Sequence, residues 1–266
     1  MNRSFPSLPG VTVVCAADLV DVDLTPAKIL FDVGIRVREA QRVAVYGAPA
    51  SLKTTIALRG AVDVALQHGP VVVLGAEGTL TALGARLGGL VRGRGGKGIQ
   101  ELTNLYLAHG AFDLRSDEGH ALGERITDTF EPVLVVIDPM ASYFVGEENS
   151  ATDVSVFLRT LDAWPLAGIA VILVHHARKV GENRSQDLRG SSAIRGWADA
   201  VFQVTRRDAA VPSCEVVQEK ARDEEVVGRR VVRCIFGDEG IRVEATEVEA
   251  RAEPVSTTKL VLQVLR

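Results

Sequence analysis

The stretch Arg42 to Thr55, RVAVYGAPASLKTT, constrains the chain more than any other, because a short apolar strand runs into a loop of small residues that ends in Lys-Thr. From Gly47 to Lys53-Thr54 the spacing is that of G-x-x-x-x-G-K-[ST]. In such a loop backbone N–H groups cradle phosphates, the lysine reaches the β and γ oxygens, and the hydroxyl holds Mg²⁺. Gly47, Ala48, Pro49, Ala50, Ser51, Leu52, Lys53, Thr54 and Thr55 are therefore the candidate phosphate-binding residues. Leu52 departs from the pattern, standing where the second glycine belongs. If that position needs a positive φ, a leucine there costs about 1–3 kcal/mol; otherwise φ is negative and the loop binds phosphate without strain. Taken alone, the loop is also compatible with an ordinary strand–turn–helix carrying a stray lysine, so the rest of the chain has to decide.

A chain of 266 residues, 47% hydrophobic and 24% charged, can bury one sizeable α/β domain with appendages. Its net charge of −4 argues against coating nucleic acid with the whole surface and leaves local basic loops as the means of any such contact. Cys15, Cys214 and Cys234 are odd in number and widely spaced, which points to neither a disulfide framework nor a zinc site and fits a reducing cytoplasm. Asp18, Asp21 and Asp23 interrupt the early apolar patch before any cleavage signal, and no apolar run approaches the length of a membrane span.

After the loop, Lys53 to Gln67 reads as a helix stopped by Gly69-Pro70, and Val71 to Leu74 as a buried strand. The pattern repeats with helices over Thr79 to Val91, Gly119 to Phe130 and Asp153 to Trp164, and strands over Leu105 to Leu107, Pro132 to Ile137 and Ala170 to Val174. Alternating helices and apolar strands imply a mostly parallel sheet covered on both faces. From Val201 to Val243 polar turns separate alternating segments, which predicts an antiparallel meander extending the same sheet. Gly88 to Gly98, GGLVRGRGGKG, reads as a mobile loop, and Ser256 to Arg266 as a short helix that stops abruptly, as if a further domain followed.

Four groups of residues could complete a nucleotide site. Asp138 ends the apolar strand LVVID, the arrangement that brings a carboxylate to the Mg²⁺ shell beside a phosphate loop. Glu77 follows the first strand after the loop and could orient the attacking water, or could simply favour the following helix N-terminus, which Thr79 caps equally well. His175 and His176 close the strand AVILV, so at least one faces the ligand edge of a parallel sheet, as a γ-phosphate contact or as a hydrogen-bonded strand end. Lys220 and Arg222 share one side of a strand end and suit a γ-phosphate, bound by this chain or by a neighbouring copy, unless they only solvate the acidic turn that follows. Separately, Arg178, Lys179, Arg184 and Arg189 lie in a basic segment that could grip a nucleic-acid backbone or stand as a solvated charged face.

In this order, GAPASLKTT, VVVLGAEGTLTALGARL, LVVIDPMASY, VILVHHARK, QDLRGSSAIRGWADAVFQV and EKAR resemble the RecA-like P-loop ATPases of the DnaB and plasmid RepA helicase group, over about residues 40 to 245. The resemblance implies residues 1–40 as an arm, 41–250 as a RecA-like ATPase domain and 251–266 as a tail. It implies a ring, usually a hexamer, binding ATP and Mg²⁺ between subunits and single-stranded DNA in the centre. Lys53 and Thr54 would hold phosphate and metal, Glu77 the water, Asp138 the metal shell and His175 the sensor position, with Lys220 and Arg222 reaching across the interface. Leu52 departs from the family's usual glycine, and a histidine stands where glutamine is common. Residues 1–40 are too short for the extra domain of replicative helicases, which favours the compact RepA-like branch. Two alternatives remain: an ATPase acting on protein partners, and a nucleotide-binding module without turnover.

Overall fold

The computed structural model describes residues 27–176, 192–208, 211–222 and 224–248. The first strands, β1 (Ile29–Val33) and β2 (Ile35–Arg38), form a separate antiparallel hairpin. Then come β3 (Arg42–Gly47), α1 (Lys53–Gln67), β4 (Val71–Gly75), α2 (Leu80–Arg92), β5 (Leu105–His109), α3 (Asp117–Phe130) and β6 (Leu134–Asp138). The chain continues through α4 (Ala151–Leu161), α5 (Ala163–Leu166), β7 (Ala170–His176), α6 (Ser192–Trp197) and β8 (Ala200–Asp208). It closes with β9 (Ser213–Ala221), β10 (Arg230–Gly237) and β11 (Gly240–Glu247). The main sheet has nine strands in the order β11-β10-β9-β8-β3-β7-β6-β4-β5. From β8 to β5 neighbours run parallel, and β8 through β11 form the expected antiparallel extension.

The central strands are apolar at nearly every position because both faces are covered, as parallel sheets require. Val43, Val45, Val73, Val136, Ile172 and Val174 face one core with α1 and α2; Ala44, Tyr46, Leu74, Ile137, Val171 and Leu173 face the other with α4 and α6. The helix expected over Asp153 to Trp164 is broken at Asp162. Pro165 has no N–H to donate to the carbonyl four residues back, so it is accommodated in the first turn of the separate short α5.

α1 is buried on nearly all sides, because the β1–β2 hairpin lies over its outer surface. Phe31 packs so closely on Gly60 that a Cβ there would lie 2.2 Å from the ring. Charges tie the hairpin down: Arg230 of β10 pairs with Asp32 and, at 3.0 Å, with Glu247, while Arg38 meets Glu224 at 2.9 Å.

The first half of the glycine-rich patch departs from the expected loop, while residues 93–98 do form a turn and irregular chain. α2 extends into it as far as Arg92, and Gly88 and Gly89 are buried. The antiparallel extension reaches over the α1 face, with Arg59 of α1 donating to the Val243 carbonyl at 3.4 Å, and β11 then rests on α2. The glycines allow this approach, since a Cβ on Gly93 would lie 2.1 Å from the backbone oxygen of Ile241. Small side chains here serve a close helix–strand contact. Gly93→Ala is accordingly expected to destabilise the fold by about 1–3 kcal/mol through overpacking, read as a lower urea midpoint with an unchanged slope. An unshifted midpoint would mean that β11 yields freely. The expected Ser256–Arg266 helix lies outside the described residues, as does most of the expected arm.

Candidate nucleotide site

β3 runs parallel between β7 and β8, so its C-terminal end delivers the chain to the edge where ligands collect in parallel sheets. Gly47 closes the strand in tight quarters: a Cβ there would lie 2.1 Å from the Val204 carbonyl oxygen of β8. Ala48, Pro49 and Ala50 form the exposed tip, and Ser51 and Lys53 are buried beneath it. Leu52 has φ 76° and ψ 9°, and Ala50 has φ 59°. The loop thus does demand the left-handed conformation at the position where glycine was expected, and leucine adopts it under strain of about 1–3 kcal/mol. The Leu52 side chain packs against the α1-side core, which offsets part of that strain.

Leu52 caps α1 without a side-chain hydrogen bond, and no acidic residue occupies the helix's first turn. The leading N–H groups and the positive end of the helix dipole therefore stay available to an anion. Lys53 Nζ folds into this space, donating to the carbonyls of Gly47 at 2.9 Å and Ala48 at 2.8 Å and to Ser51 Oγ at 3.3 Å. Burial lowers its pKa to about 8, against the opposing pull of Asp138 and Glu77. An ammonium stripped of water and satisfied only by neutral oxygens is poised to gain from an entering phosphate.

The Thr54 side chain lies beside the Asp138 carboxylate in one cavity, and Asp138 is 6% exposed. Burial pushes the Asp138 carboxyl above the usual range, and its Oδ1 has no hydrogen-bond partner among the described residues. A hydroxyl beside an unsatisfied carboxylate oxygen is a hard-oxygen donor set that fits Mg²⁺. No group of three or more His, Cys, Asp or Glu among the described residues could hold a metal. Mg²⁺ takes few protein ligands and keeps its remaining sites for water and phosphate.

Gly75 pairs with Asp138 across β4 and β6, so Glu77, two residues further on, comes to the same edge. Thr54, Gly75, Glu77, Gly78, Arg86 and Asp138 line a cavity of about 240 Å³ there. Arg86 was not foreseen; it reaches the cavity from α2 as a result of helix packing that no local motif announces. Arg206, likewise unforeseen, donates from β8 to the Ala50 carbonyl at 2.9 Å and braces the loop tip.

The two histidines part company because neighbouring strand residues point to opposite faces. His176, paired in register with Gly47, turns to the α1 face, where its Nε2 lies 3.2 Å from Glu77 Oε1. His175, the expected sensor residue, turns to the other face, where burial lowers its pKa against the pull of Glu148. Lys220 and Arg222 are at the far edge: Lys220 is level with Val201 and Ala221 with Ala200, whose partner is Val43 at the start of β3. Four strand steps of about 3.3 Å separate that level from Gly47. Lys220 Nζ caps the end of α6 through the carbonyls of Arg195 and Ala198 at 2.7 and 2.6 Å, and Arg222 pairs with Asp199 at 2.8 Å. Arg178, Lys179, Arg184 and Arg189 lie outside the described residues. No helix among the described residues is long and apolar enough to cross a membrane.

Comparison with known proteins agrees with this geometry. Residues 15–182, more than half of the chain, match a family described as an AAA domain, AAA_25. No curated protein matches the sequence. Among solved structures, one described as an ATPase domain superposes with a TM-score of 0.57 at 17% identity, covering 79% of this chain and 86% of that one. A DnaB-like replicative helicase, solved to show its interactions with primase, superposes with a TM-score of 0.60 at 18% identity. That match covers 76% of this chain but 58% of the helicase, so the chain spans less than two thirds of its length. The chain belongs to the AAA domain family AAA_25 and has the RecA-like P-loop fold of the ATPase domains of DnaB-like helicases.

Proposed function

We propose that the chain is a Mg²⁺-dependent ATPase acting in a ring of identical subunits, with single-stranded DNA as its track in the manner of the compact RepA-like helicases. The observation that carries the reading is the convergence on one sheet edge of Lys53, the Thr54–Asp138 pair and Glu77 around the uncapped start of α1. On this reading Lys53 leaves the loop carbonyls for the β and γ oxygens of the nucleotide. Thr54 and Asp138 would hold Mg²⁺, which supplies charge neutralisation between the terminal phosphates. Glu77 accepts the proton of a water in the adjoining cavity, and its exposed position at the cavity rim gives solvent a route in.

Two further observations support the ring and the DNA. Lys220 and Arg222 stand a strand's length from their own phosphate loop, which suits a pair lent to the next subunit. Arg178, Lys179, Arg184 and Arg189 come within 13 residues after the end of β7 in the sequence, which suits a phosphate-backbone contact coupled to the site. The likeness to helicase ATPase domains supports the helicase type.

Steady-state ATP hydrolysis with and without single-stranded DNA tests the proposal. The expected result is stimulation by DNA that weakens steeply with salt. Lys53→Ala is expected to abolish binding and turnover, and Glu77→Gln to keep nucleotide binding while kcat falls by about 10²–10⁴-fold. Turnover indifferent to DNA would replace the DNA track with a protein partner, and nucleotide affinity without turnover would leave a binding module.

The shared interface has its own test. Arg222→Ala is expected to lower kcat by about 10³–10⁵-fold with nucleotide affinity intact. Mixing it with inactive Lys53→Ala should restore activity, because some interfaces then join an intact loop to an intact Arg222. A mixture as inactive as its parts would place the pair's role within one chain.

A further inference from the structure

We infer that His176 is a positioning residue for Glu77, holding the carboxylate in one orientation at the rim of the nucleotide cavity. The inference deepens the ATPase reading and rests on it for its kinetic consequence, while the contact itself can be examined without turnover. Glu77 sits on the bend that follows β4, next to Gly78 at φ 79°, and its side chain is 59% exposed. Its bond to His176 is the single hydrogen bond or ion pair that Glu77 makes among the described residues. A glutamate on an exposed bend has several rotamers, and a general base must lie within hydrogen-bond reach of the proton it takes.

His176 can supply what the bend lacks. It is the last residue of β7, fixed by parallel pairing with Gly47, the residue that opens the phosphate loop. One contact therefore links the loop, the β7 end and the glutamate. A carboxylate only accepts, so Nε2 carries the hydrogen of the bond. Nδ1 is buried with no hydrogen-bond partner among the described residues, so Nε2 makes the ring's one bond there. With Oε1 engaged by Nε2–H, Oε2 is left to accept a further hydrogen, and Glu77 lines the cavity it shares with Thr54 and Asp138.

The test combines kinetics with imidazole ¹⁵N spectra of the full chain. His176→Ala is expected to lower kcat by about 10²-fold, the scale of a small misplacement of a reacting group, with nucleotide affinity unchanged. His176→Gln should restore part of the loss, since its amide N–H can donate to the same oxygen. In a Glu77→Gln background His176→Ala should do nothing more, because residues acting as a unit are not additive. Loss of affinity in place of kcat, or fully additive losses, would overturn the role. In the spectra, wild-type His176 is expected to show a hydrogen fixed on Nε2, and Glu77→Ala to release it. If the wild type hydrolyses no ATP, the ATPase reading fails, and the spectra then judge the contact alone: release by Glu77→Ala upholds it, and identical spectra sink it.

Discussion

The parallel register of β4, β6, β7 and β3 is the constraint on which everything at the site depends. Gly75 stands opposite Asp138, and Gly47 opposite His176, so the strands end together. Glu77, Asp138, His176 and the phosphate loop then emerge in a row along one edge without any of them being close in sequence. A slip of one residue in any pair would turn the terminal side chain to the other face. The double-sided core prevents this, because Val43, Val45, Val136, Ile172 and Val174 fill one face and their neighbours the other. Packing of ordinary aliphatic residues thereby sets distances between charged ones.

That edge is also where the fold holds its least favourable groups. Two non-glycine residues, Ala50 and Leu52, are in the left-handed region with only Ser51 between them. Burial lowers the pKa of Lys53 and raises that of Asp138, so both charged forms are disfavoured by the site that contains them. An anion beside Lys53 and a cation beside Asp138 would favour both charged forms. Strain and desolvation concentrated around one uncapped helix start are what a preorganised phosphate site requires, and they have no counterpart at the well-capped starts of α2, α3 and α4.

Much of this was legible in the sequence because it rests on local patterns. Apolar runs of strand length separated by helical periodicity give the α/β fold, and the spacing from Gly47 to Thr54 gives the loop even with Leu52 in it. Asp138 was legible as the acid closing a buried strand. Features that depend on long-range pairing were not. Which histidine meets Glu77 follows from the pleat phase of β7 against β3, which a two-histidine ending leaves open. Gly88 to Gly98 looked like a loop throughout because glycine weakens helices, yet Gly88 to Arg92 is helix and small-sided to admit β11, a strand about 150 residues further on. Arg86 and Arg206 carry no motif, and only the packing of α2 and the pairing of β8 bring them to the site.

The antiparallel β8–β9 pair joins the two edges of the sheet in one hydrogen-bonded element. At the loop edge, Arg206 of β8 braces the Ala50 carbonyl, and at the far edge Lys220 of β9 locks to the end of α6 beside the Arg222–Asp199 pair. Because β8 is hydrogen-bonded to β3 on one side and to β9 on the other, a change in the loop's position is resisted by the same ladder that holds Lys220 and Arg222. Arg42, at the start of β3, ties the far edge further through Asp199, whose carboxylate accepts from its backbone N–H at 3.0 Å. In a ring where each chain lends its cation pair to the next, one hairpin would therefore connect the nucleotide a subunit binds with the nucleotide its neighbour binds. Sheet continuity between the two ends is the physical basis on which neighbouring sites in such a ring would sense one another.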